Sequence, residues 1–248
     1  MTLVDAVALL VVGLVAGVVN AIVGSGSLLT FPTLLAIGYP PVVANVTNTI
    51  GLVLGNVSGV VGYRRELAGQ GRRILELSGF AIAGGLIGAV LLLALPQSVF
   101  RRVVPILIVV AVVLVVVQPR LSAYMARHRG RSGSSWALRG AVTATSVYGG
   151  YFGAAMGVIY IAILSVFIED ELQRINALKN VISAIVNGVA AVVFVVLAHV
   201  EWPAVALLAV SSVVGGQIGA AIGRRLPDGV LRVVIVVAGV AAVIKLAF

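Results

Sequence analysis

The sequence predicts an all-α polytopic membrane protein with about ten transmembrane segments in two inverted five-segment repeats. Composition, the length of the apolar runs and an internal repeat lead to this prediction. Of 248 residues, 61% are hydrophobic and only 10% are charged, whereas about 25% of a typical soluble protein is charged. A soluble fold of this size could not bury so much apolar surface, so a soluble protein is excluded.

Ten apolar runs follow one another along the chain, and most reach the roughly 17–25 residues that a spanning helix needs. They cover residues 3–22, 27–37, 42–62, 74–95, 103–117, 140–152, 154–168, 176–198, 203–222 and 231–247. Two regions, 22–37 and 140–168, contain short runs beside a glycine-rich break, which predicts short broken or re-entrant helices there. The stretch 3–37 is compatible with two crossings or with one re-entrant hairpin.

An internal repeat appears when the chain is shifted by 131 residues. Residues 84–112 then match 13 of 29 positions, and the Gly-Gly-x-Ile-Gly-Ala motif at 84–89 falls on the same motif at 215–220. This repeat predicts an N-terminal transmembrane half, a cytoplasmic linker and an inverted C-terminal transmembrane half. Their bounds are 1–118, 119–136 and 137–248.

Basic residues lie in the gaps between the apolar runs, which indicates how the chain crosses the membrane. Ten segments with both termini outside place 14 of the 17 Lys and Arg residues on cytoplasmic loops. Equivalent loops of the two halves carry opposite charge bias, and five segments per half is an odd number. Both features predict that one half is upside down relative to the other. The protein is expected to be a multi-pass protein of the plasma membrane.

Several function classes are disfavoured by the residues that are present. The chain has no cysteine and only two histidines, far apart in sequence, so we predict no metal site, no cofactor and no catalytic residues. The net charge of +9 is concentrated in loops, which argues against nucleic-acid binding. The predicted partners are the lipid bilayer and a small anionic substrate, and a homodimer is compatible with the sequence.

The glycine-rich breaks are the first candidate binding elements. Gly24, Ser25, Gly26 and Ser27 precede one short run, and Gly153 lies at the equivalent place in the second half when a two-residue gap in the repeat is allowed, so that this stretch is shifted by 129 residues. A helix that begins at such a break has N–H groups and a partial positive charge that favour an anion. The alternative interpretation is that these glycines only permit close helix packing.

Polar residues within apolar runs are the second candidate elements. They are Asn48, Asn176, Lys179, Asn180 and Asn187. Interhelical hydrogen bonding is one explanation for the amides. Lys179 either faces the substrate or extends to the membrane interface, and its repeat mate is Asn48.

These motifs resemble the TauE/SafE sulfite exporter family. The resemblance lies in residues 23–34, Thr47-Asn48, Tyr148–Gly153, Asn176–Asn180 and Asn187-Gly188, and it extends over almost the whole chain. It implies transport of small sulfur-containing or organic anions, such as sulfite or sulfonates, across a bacterial inner membrane. The first loop of the family is often a run of three or four glycines, which Ser25 and Ser27 interrupt here.

The sequence therefore predicts a secondary transporter for a small sulfur-containing or organic anion, which works by alternating access between inverted halves. It is not expected to be an enzyme. The alternatives are an uncoupled anion channel and a membrane assembly protein that transports nothing. The anion, the direction of transport and the coupling ion stay open at this point.

Overall fold

Helices form all the regular structure in the part of the chain that the structure describes. A computed structural model describes residues 1–127 and 135–223, and no strand occurs there. Its nine helices are α1 Leu3–Ile22, α2 Ser27–Ile37, α3 Pro41–Gly62, α4 Gly71–Ala94, α5 Gln97–Arg127, α6 Ser135–Tyr151, α7 Met156–Phe167, α8 Leu172–Leu197 and α9 Trp202–Ile222. The predicted runs up to residue 222 are confirmed as helices, whereas 231–247 lies outside the described residues.

Local sequence explains where the N-terminal helices begin and end. A capping box between Thr2 and Asp5 starts α1, because each residue satisfies a backbone N–H of the first turn. Pro41 occupies the first position of α3, where a missing N–H costs nothing. Gly38, with φ of +107°, ends α2 in the left-handed conformation that glycine adopts readily.

Two glycines interrupt the apolar runs at equivalent positions. Gly24 separates α1 from α2 with φ of +81°, and Gly153 separates α6 from α7 with φ of +75°. Both values lie in the left-handed region, which a side chain disfavours. The two predicted breaks are therefore confirmed, and each is followed by a short helix of 11 or 12 residues.

One end of the bundle carries most of the described arginines. Arg73 at the start of α4 pairs with Asp170 in the α7–α8 loop, with 2.6 Å between Nη1 and Oδ2. Arg139 near the start of α6 pairs with Glu76 of α4 at 2.6 Å. The starts of α4 and α6 and the end of α7 therefore lie together, at what we call the arginine-rich end (residues 63–73 and 168–174).

The starts of α1, α3 and α9 lie at the opposite end. The backbone N–H of Glu201 before α9 donates to Thr47 Oγ1 in the first turns of α3 at 3.3 Å. α1 runs parallel to α9, since Gly13 contacts Ser211 and Gly17 contacts Gly216 four to five residues later. Since α2 leads directly into α3, the start of α1 and the end of α2 both lie at this opposite end.

These contacts make α1–α2 and α6–α7 helical hairpins, each with both of its ends at one end of the bundle. The α1–α2 hairpin starts and ends at the opposite end, and the α6–α7 hairpin starts and ends at the arginine-rich end. Two crossings and a re-entrant hairpin both begin and end on one side, so both arrangements of residues 3–37 stay open as predictions. The inverted relation of the two halves stays a prediction, and the opposite entry of the hairpins supports it.

Small residues allow the predicted halves to interleave closely. A Cβ on Gly84 of α4 would lie 2.5 Å from Thr143 O of α6, and one on Gly219 of α9 would lie 2.7 Å from Val18 O of α1. The glycines shared by the repeat therefore permit helix packing, as small residues commonly do in membranes. Each contact joins a helix of one predicted half to a helix of the other.

Five helical segments in the described ranges are long and apolar enough, by length and composition, to cross a membrane. They are Leu3–Ile22, Gly71–Ala94, Gln97–Val117, Leu172–Leu197 and Trp202–Ile222. The class of all-α polytopic membrane protein is thereby confirmed. The number of ten crossings, the positions of the termini and the division at 118 and 137 stay predictions.

Candidate functional site

The tips of the two hairpins meet directly. The N–H of Gly157 at the start of α7 donates to Gly24 O at 3.1 Å. A Cβ on Gly24 would collide with Gly157 Cα, so only glycines permit this approach. Phe31 of α2 and Phe152 beside the second break form an edge-to-face pair with 5.3 Å between ring centroids. Residues about 130 positions apart in sequence thus form one junction.

A small polar cavity lies beside this junction. Its volume is about 10 Å³, which accommodates about one water molecule. It is lined by Asn20, Gly24, Ser27, Asn56, Gly153, Met156, Ser183 and Asn187. Six of these eight residues form three pairs that the repeat relates, so both predicted halves contribute equivalent positions to one space. The pairs are Gly24 with Gly153, Ser27 with Met156, and Asn56 with Asn187.

A chain of hydrogen bonds with a fixed direction leads into the cavity. The backbone N–H of Gly26 donates to Asn20 Oδ1 at 2.7 Å. Asn20 Nδ2 donates in turn to Asn56 Oδ1 at 3.1 Å. A backbone N–H only donates, so it sets the orientation of the Asn20 amide and then that of Asn56. Asn56 Nδ2, which is buried and has no partner among residues 1–127 and 135–223, is left as a donor towards the cavity.

Two hydroxyl groups add to the donors of the cavity. Ser183 Oγ is buried and has no partner among the described residues. Ser27 Oγ accepts from Asn48 Nδ2 at 3.1 Å, and Asn48 Oδ1 accepts from Thr30 Oγ1. The hydroxyl proton of Ser27 therefore remains available, because the oxygen is already occupied as an acceptor by Asn48.

Lys179 is completely buried and holds the C-terminal end of α1. Its side chain is 0% exposed, and Nζ donates to Asn20 O at 3.0 Å and to Ala21 O at 3.4 Å. Asn176 Nδ2 and Asn180 Nδ2 also donate to Ala21 O, at 3.3 and 3.1 Å. A cation is favourable there because the last carbonyl groups of a helix carry partial negative charge.

An equivalent contact joins a long helix of the first predicted half to a broken helix of the second. Asn45 Nδ2 on α3 donates to Tyr151 O at the end of α6 at 3.0 Å. Asn45 is the repeat mate of Asn176, and the Oδ1 of each is buried with no partner in the part of the chain that the structure describes. Each long helix therefore caps the broken helix that belongs to the other predicted half.

A comparison with protein families shows where the chain belongs. The model of the family "Sulfite exporter TauE/SafE" matches residues 9–246. The chain belongs to the TauE/SafE family. Its members are membrane transporters rather than a class of enzymes, and the resemblance seen in the sequence motifs is confirmed.

Curated relatives match over most of their length. The probable membrane transporter protein YfcA of Escherichia coli K12 is 26% identical over 238 residues, which cover 96% of this chain and 87% of that protein. A probable membrane transporter protein of Haemophilus influenzae is 26% identical over 84% of this chain and 81% of its own length. A Sinorhizobium relative, ORF9, is 22% identical over 96% of this chain and 90% of its own length. No solved structure matches.

The structure brings the predicted binding residues of this family member into one region, in two layers. Gly24, Ser27, Gly153 and Asn187 line the cavity. The other predicted residues lie behind it: Ser25, Gly26, Asn48, Asn176, Lys179 and Asn180. Gly26 and Asn48 position cavity residues, and Asn176, Lys179 and Asn180 bind the end of α1.

Four lining residues were missing from the predicted set: Asn20, Asn56, Met156 and Ser183. Asn56 and Met156 are the repeat mates of the predicted Asn187 and Ser27, so the repeat itself could have indicated them. Asn20 was detectable as the one amide in the apolar run 3–22. Ser183 carries no such signal, because its mate is Leu52.

Proposed function

We propose that this protein is a secondary transporter that moves a small sulfur-containing or organic anion across a bacterial inner membrane by alternating access. The observation that carries this proposal is the junction of the two hairpins. They enter from opposite ends of the bundle, meet at Gly24 and Gly157, and share one polar cavity. Inverted repeats with interrupted helices form substrate sites in this way in many transporters.

The chemistry of the cavity supports an anion as the substrate. Asn56 Nδ2 and the hydroxyl groups of Ser27 and Ser183 are hydrogen-bond donors without protein acceptors, and no Asp or Glu is among the lining residues. Donors in a site that excludes water interact more strongly with an anion than they do in water. An oxyanion such as sulfite or a sulfonate has acceptor oxygens to match them.

The size of the cavity supports a closed conformation. A volume of about 10 Å³ holds about one water molecule and is too small for an oxyanion of sulfur. Transport therefore requires the hairpin tips to separate from their neighbours on one side at a time. The contact between Gly24 and Gly157 involves no side chains, whereas the Phe31–Phe152 ring pair beside it would have to separate in a rocking movement of one half against the other.

The predicted site residues receive distinct roles in this proposal. Gly24, Gly26 and Gly153 admit the ligand close to the backbone, and Ser25, Ser27, Asn48 and Asn187 orient it. Lys179, Asn176 and Asn180 secure the end of α1 beside the cavity, and Lys179 balances the charge of the anion. Asn20 lines the cavity, and the ammonium of Lys179 binds its backbone carbonyl. The charge therefore lies directly behind the cavity wall.

Flux measurements in proteoliposomes distinguish a transporter from the alternatives. We expect saturable uptake of sulfite or a sulfonate, and faster labelled uptake when unlabelled anion is present on the other side. An uncoupled channel would instead give flux that follows the voltage without saturation at low concentration or counterflow. An absence of flux for sulfite, sulfonates, sulfate, thiosulfate and carboxylates would contradict both and favour an assembly protein.

A further inference from the structure

The hydrogen-bond direction in the cavity bears on which anions the site accepts. Because Gly26 N–H can only donate, Asn20 must present Oδ1 to it and Nδ2 to Asn56. Asn56 is only 6% exposed, so water does not compete with Asn20 for its amide group. Asn20 is therefore a positioning residue that makes Asn56 a donor towards the cavity rather than an acceptor.

Ser183 supplies a second buried donor, whose hydroxyl makes no hydrogen bond within the described structure. It is 8% exposed, and its Oγ has no partner. An unpaired buried hydroxyl costs free energy of folding, so its presence in the wall of a cavity points to a ligand. Ser165 of α7 is equally buried and unpartnered, but it is not among the lining residues.

Charges around the cavity are few. Lys179 is the one Lys or Arg that is buried within residues 1–117 and 135–223, and no Asp or Glu in those ranges is buried. The ammonium of Lys179 reaches the carbonyls of Asn20 and Ala21 rather than the cavity. The lining itself therefore consists of neutral groups, with one positive charge behind the wall.

We propose that the cavity selects singly charged oxyanions over doubly charged ones, through neutral donors whose direction Asn20 sets. The inference rests on the proposed function of the site. The cost of removing an ion from water rises with the square of its charge, so it is about four times larger for a dianion of similar radius. One nearby ammonium compensates one negative charge and leaves the second charge of a dianion without a partner.

Methanesulfonate and sulfate form a suitable pair of probes, since both place oxygens around a tetrahedral sulfur but carry one and two negative charges. Their dissociation constants for the purified full-length protein can be measured by calorimetry at constant ionic strength. We expect methanesulfonate to bind at least about tenfold more tightly. Equal affinity, or tighter binding of sulfate, would overturn the proposed selectivity.

A matched pair of serine variants tests whether the neutral donors bind the anion. Ser183→Ala removes the hydroxyl in the cavity, and Ser165→Ala removes an equally buried hydroxyl outside it. We expect Ser183→Ala to weaken methanesulfonate binding about threefold to tenfold without lowering the melting temperature, because no protein hydrogen bond is lost and an unpaired buried hydroxyl is removed. Ser165→Ala is expected to leave binding unchanged, also without lowering the melting temperature. Equal affinities in both variants would contradict a ligand role for Ser183.

Asn56→Asp tests the direction of the amide. The substitution keeps an acceptor for Asn20 Nδ2 but replaces the free donor by an oxygen. We expect methanesulfonate affinity to fall by at least about 100-fold, whereas an amide with a structural role only would leave binding unchanged in the folded variant. Where Asn56→Asp does not fold, the serine pair decides the question.

The failure of this inference and that of the proposed function give different results. Transport of anions with no preference for the singly charged probe, or with no effect of Ser183→Ala, rejects the inference and leaves the transporter proposal intact. Absence of binding and flux for both anions rejects the transporter proposal and the inference together.

Discussion

The two hairpin tips share a left-handed glycine but differ in their side chains and in the backbone just before the short helix, where Ala155 has φ of +57° and Gly26 has φ of −58°. Each tip has a glycine with positive φ, Gly24 in one and Gly153 in the other, followed by a short helix. Three residues further on, the first tip has Ser27 and the second has Met156. On the long helices behind them, Asn48 of the first half corresponds to Lys179 of the second.

This difference separates what the fold requires from what the site does. Close approach of the tips needs Gly24 in one half and Gly157 in the other, whereas Gly153 is close only to the backbone of Gly149 in the helix before it. The side chains diverge: Asn48 binds Ser27 of its own half at 3.1 Å, whereas Lys179 binds the end of α1 in the other half at 3.0 Å. The first tip is thus held by neutral hydrogen bonds from its own half and by the buried charge that the second half contributes.

The largest effect is expected where the tips touch. Gly24→Ala places a Cβ against Gly157 Cα and has an unfavourable φ of +81°, which together cost about 3 kcal/mol or more. We expect transport to be abolished and the melting temperature to fall. Gly188→Ala is the control, because a Cβ there meets nothing within 4 Å. Similar activity and melting temperature in the two variants would show that the tips do not need to touch.

The second effect concerns the repeat mates Lys179 and Asn48. Lys179→Met keeps most of the stem but removes the ammonium, whose charge-assisted hydrogen bond contributes about 1.5–3 kcal/mol. We expect saturable anion uptake to fall about 100-fold with normal expression, against about tenfold or less for Asn48→Ala. Normal kinetics in Lys179→Met would remove Lys179 from the transport mechanism.

The third comparison uses the reciprocal caps of the broken helices. Asn45 is the one side-chain donor to Tyr151 O in the described chain, whereas Ala21 O keeps Lys179 and Asn180 when Asn176 is removed. We expect Asn45→Ala to lower the free energy of unfolding by about 1–3 kcal/mol and Asn176→Ala to lower it by less. Melting temperatures in one detergent provide the measurement, and the reverse order would contradict the proposed equivalence.

The smallest effect lies at the arginine-rich end. Burial works to raise the pKa of Asp170, but hydrogen bonds from Arg73 and the Glu171 N–H and the charge of Arg174 outweigh it and hold the pKa below its ordinary value. Asp170→Asn should therefore cost up to about 1 kcal/mol at neutral pH.

That cost depends on pH in a defined direction. It is fully present above the ordinary pKa of an aspartate, and it disappears as the pH falls through the lowered pKa of the folded protein. Glu169→Gln serves as the control, since Glu169 has no ion pair among those found in the described chain. A stability difference between Asp170→Asn and wild type that does not change with pH would argue against the ion pairs.

Much of the fold follows from the sequence because hydrophobic runs and glycine breaks are local signals. The bounds of α2, Ser27–Ile37, coincide with the predicted run, since Gly26 and Gly38 flank it. The direction of the hairpins was not predictable from length alone, because α1 is long enough to cross a membrane. Its packing along α9 places the start of α1 at the same end of the bundle as the start of α9.

The candidate site was predictable to a smaller extent. The repeat indicated the breaks and the polar positions, but it carries no information on which side chain faces the cavity. Lys179 and Ser183 lie one turn apart on α8, yet one caps a helix and the other lines the cavity. That distinction depends on contacts with Asn20 and Ala21, more than 150 residues away in sequence.

The central claim is that the two hairpins enter the membrane from opposite sides and meet in the middle. Since the chain has no cysteine, Pro40→Cys at the end of α2 and Glu169→Cys at the end of α7 can each be labelled with an impermeant maleimide in oriented vesicles. The account predicts that Pro40→Cys reacts only from outside and Glu169→Cys only from the cytoplasmic side. Labelling of both from the same side would contradict it.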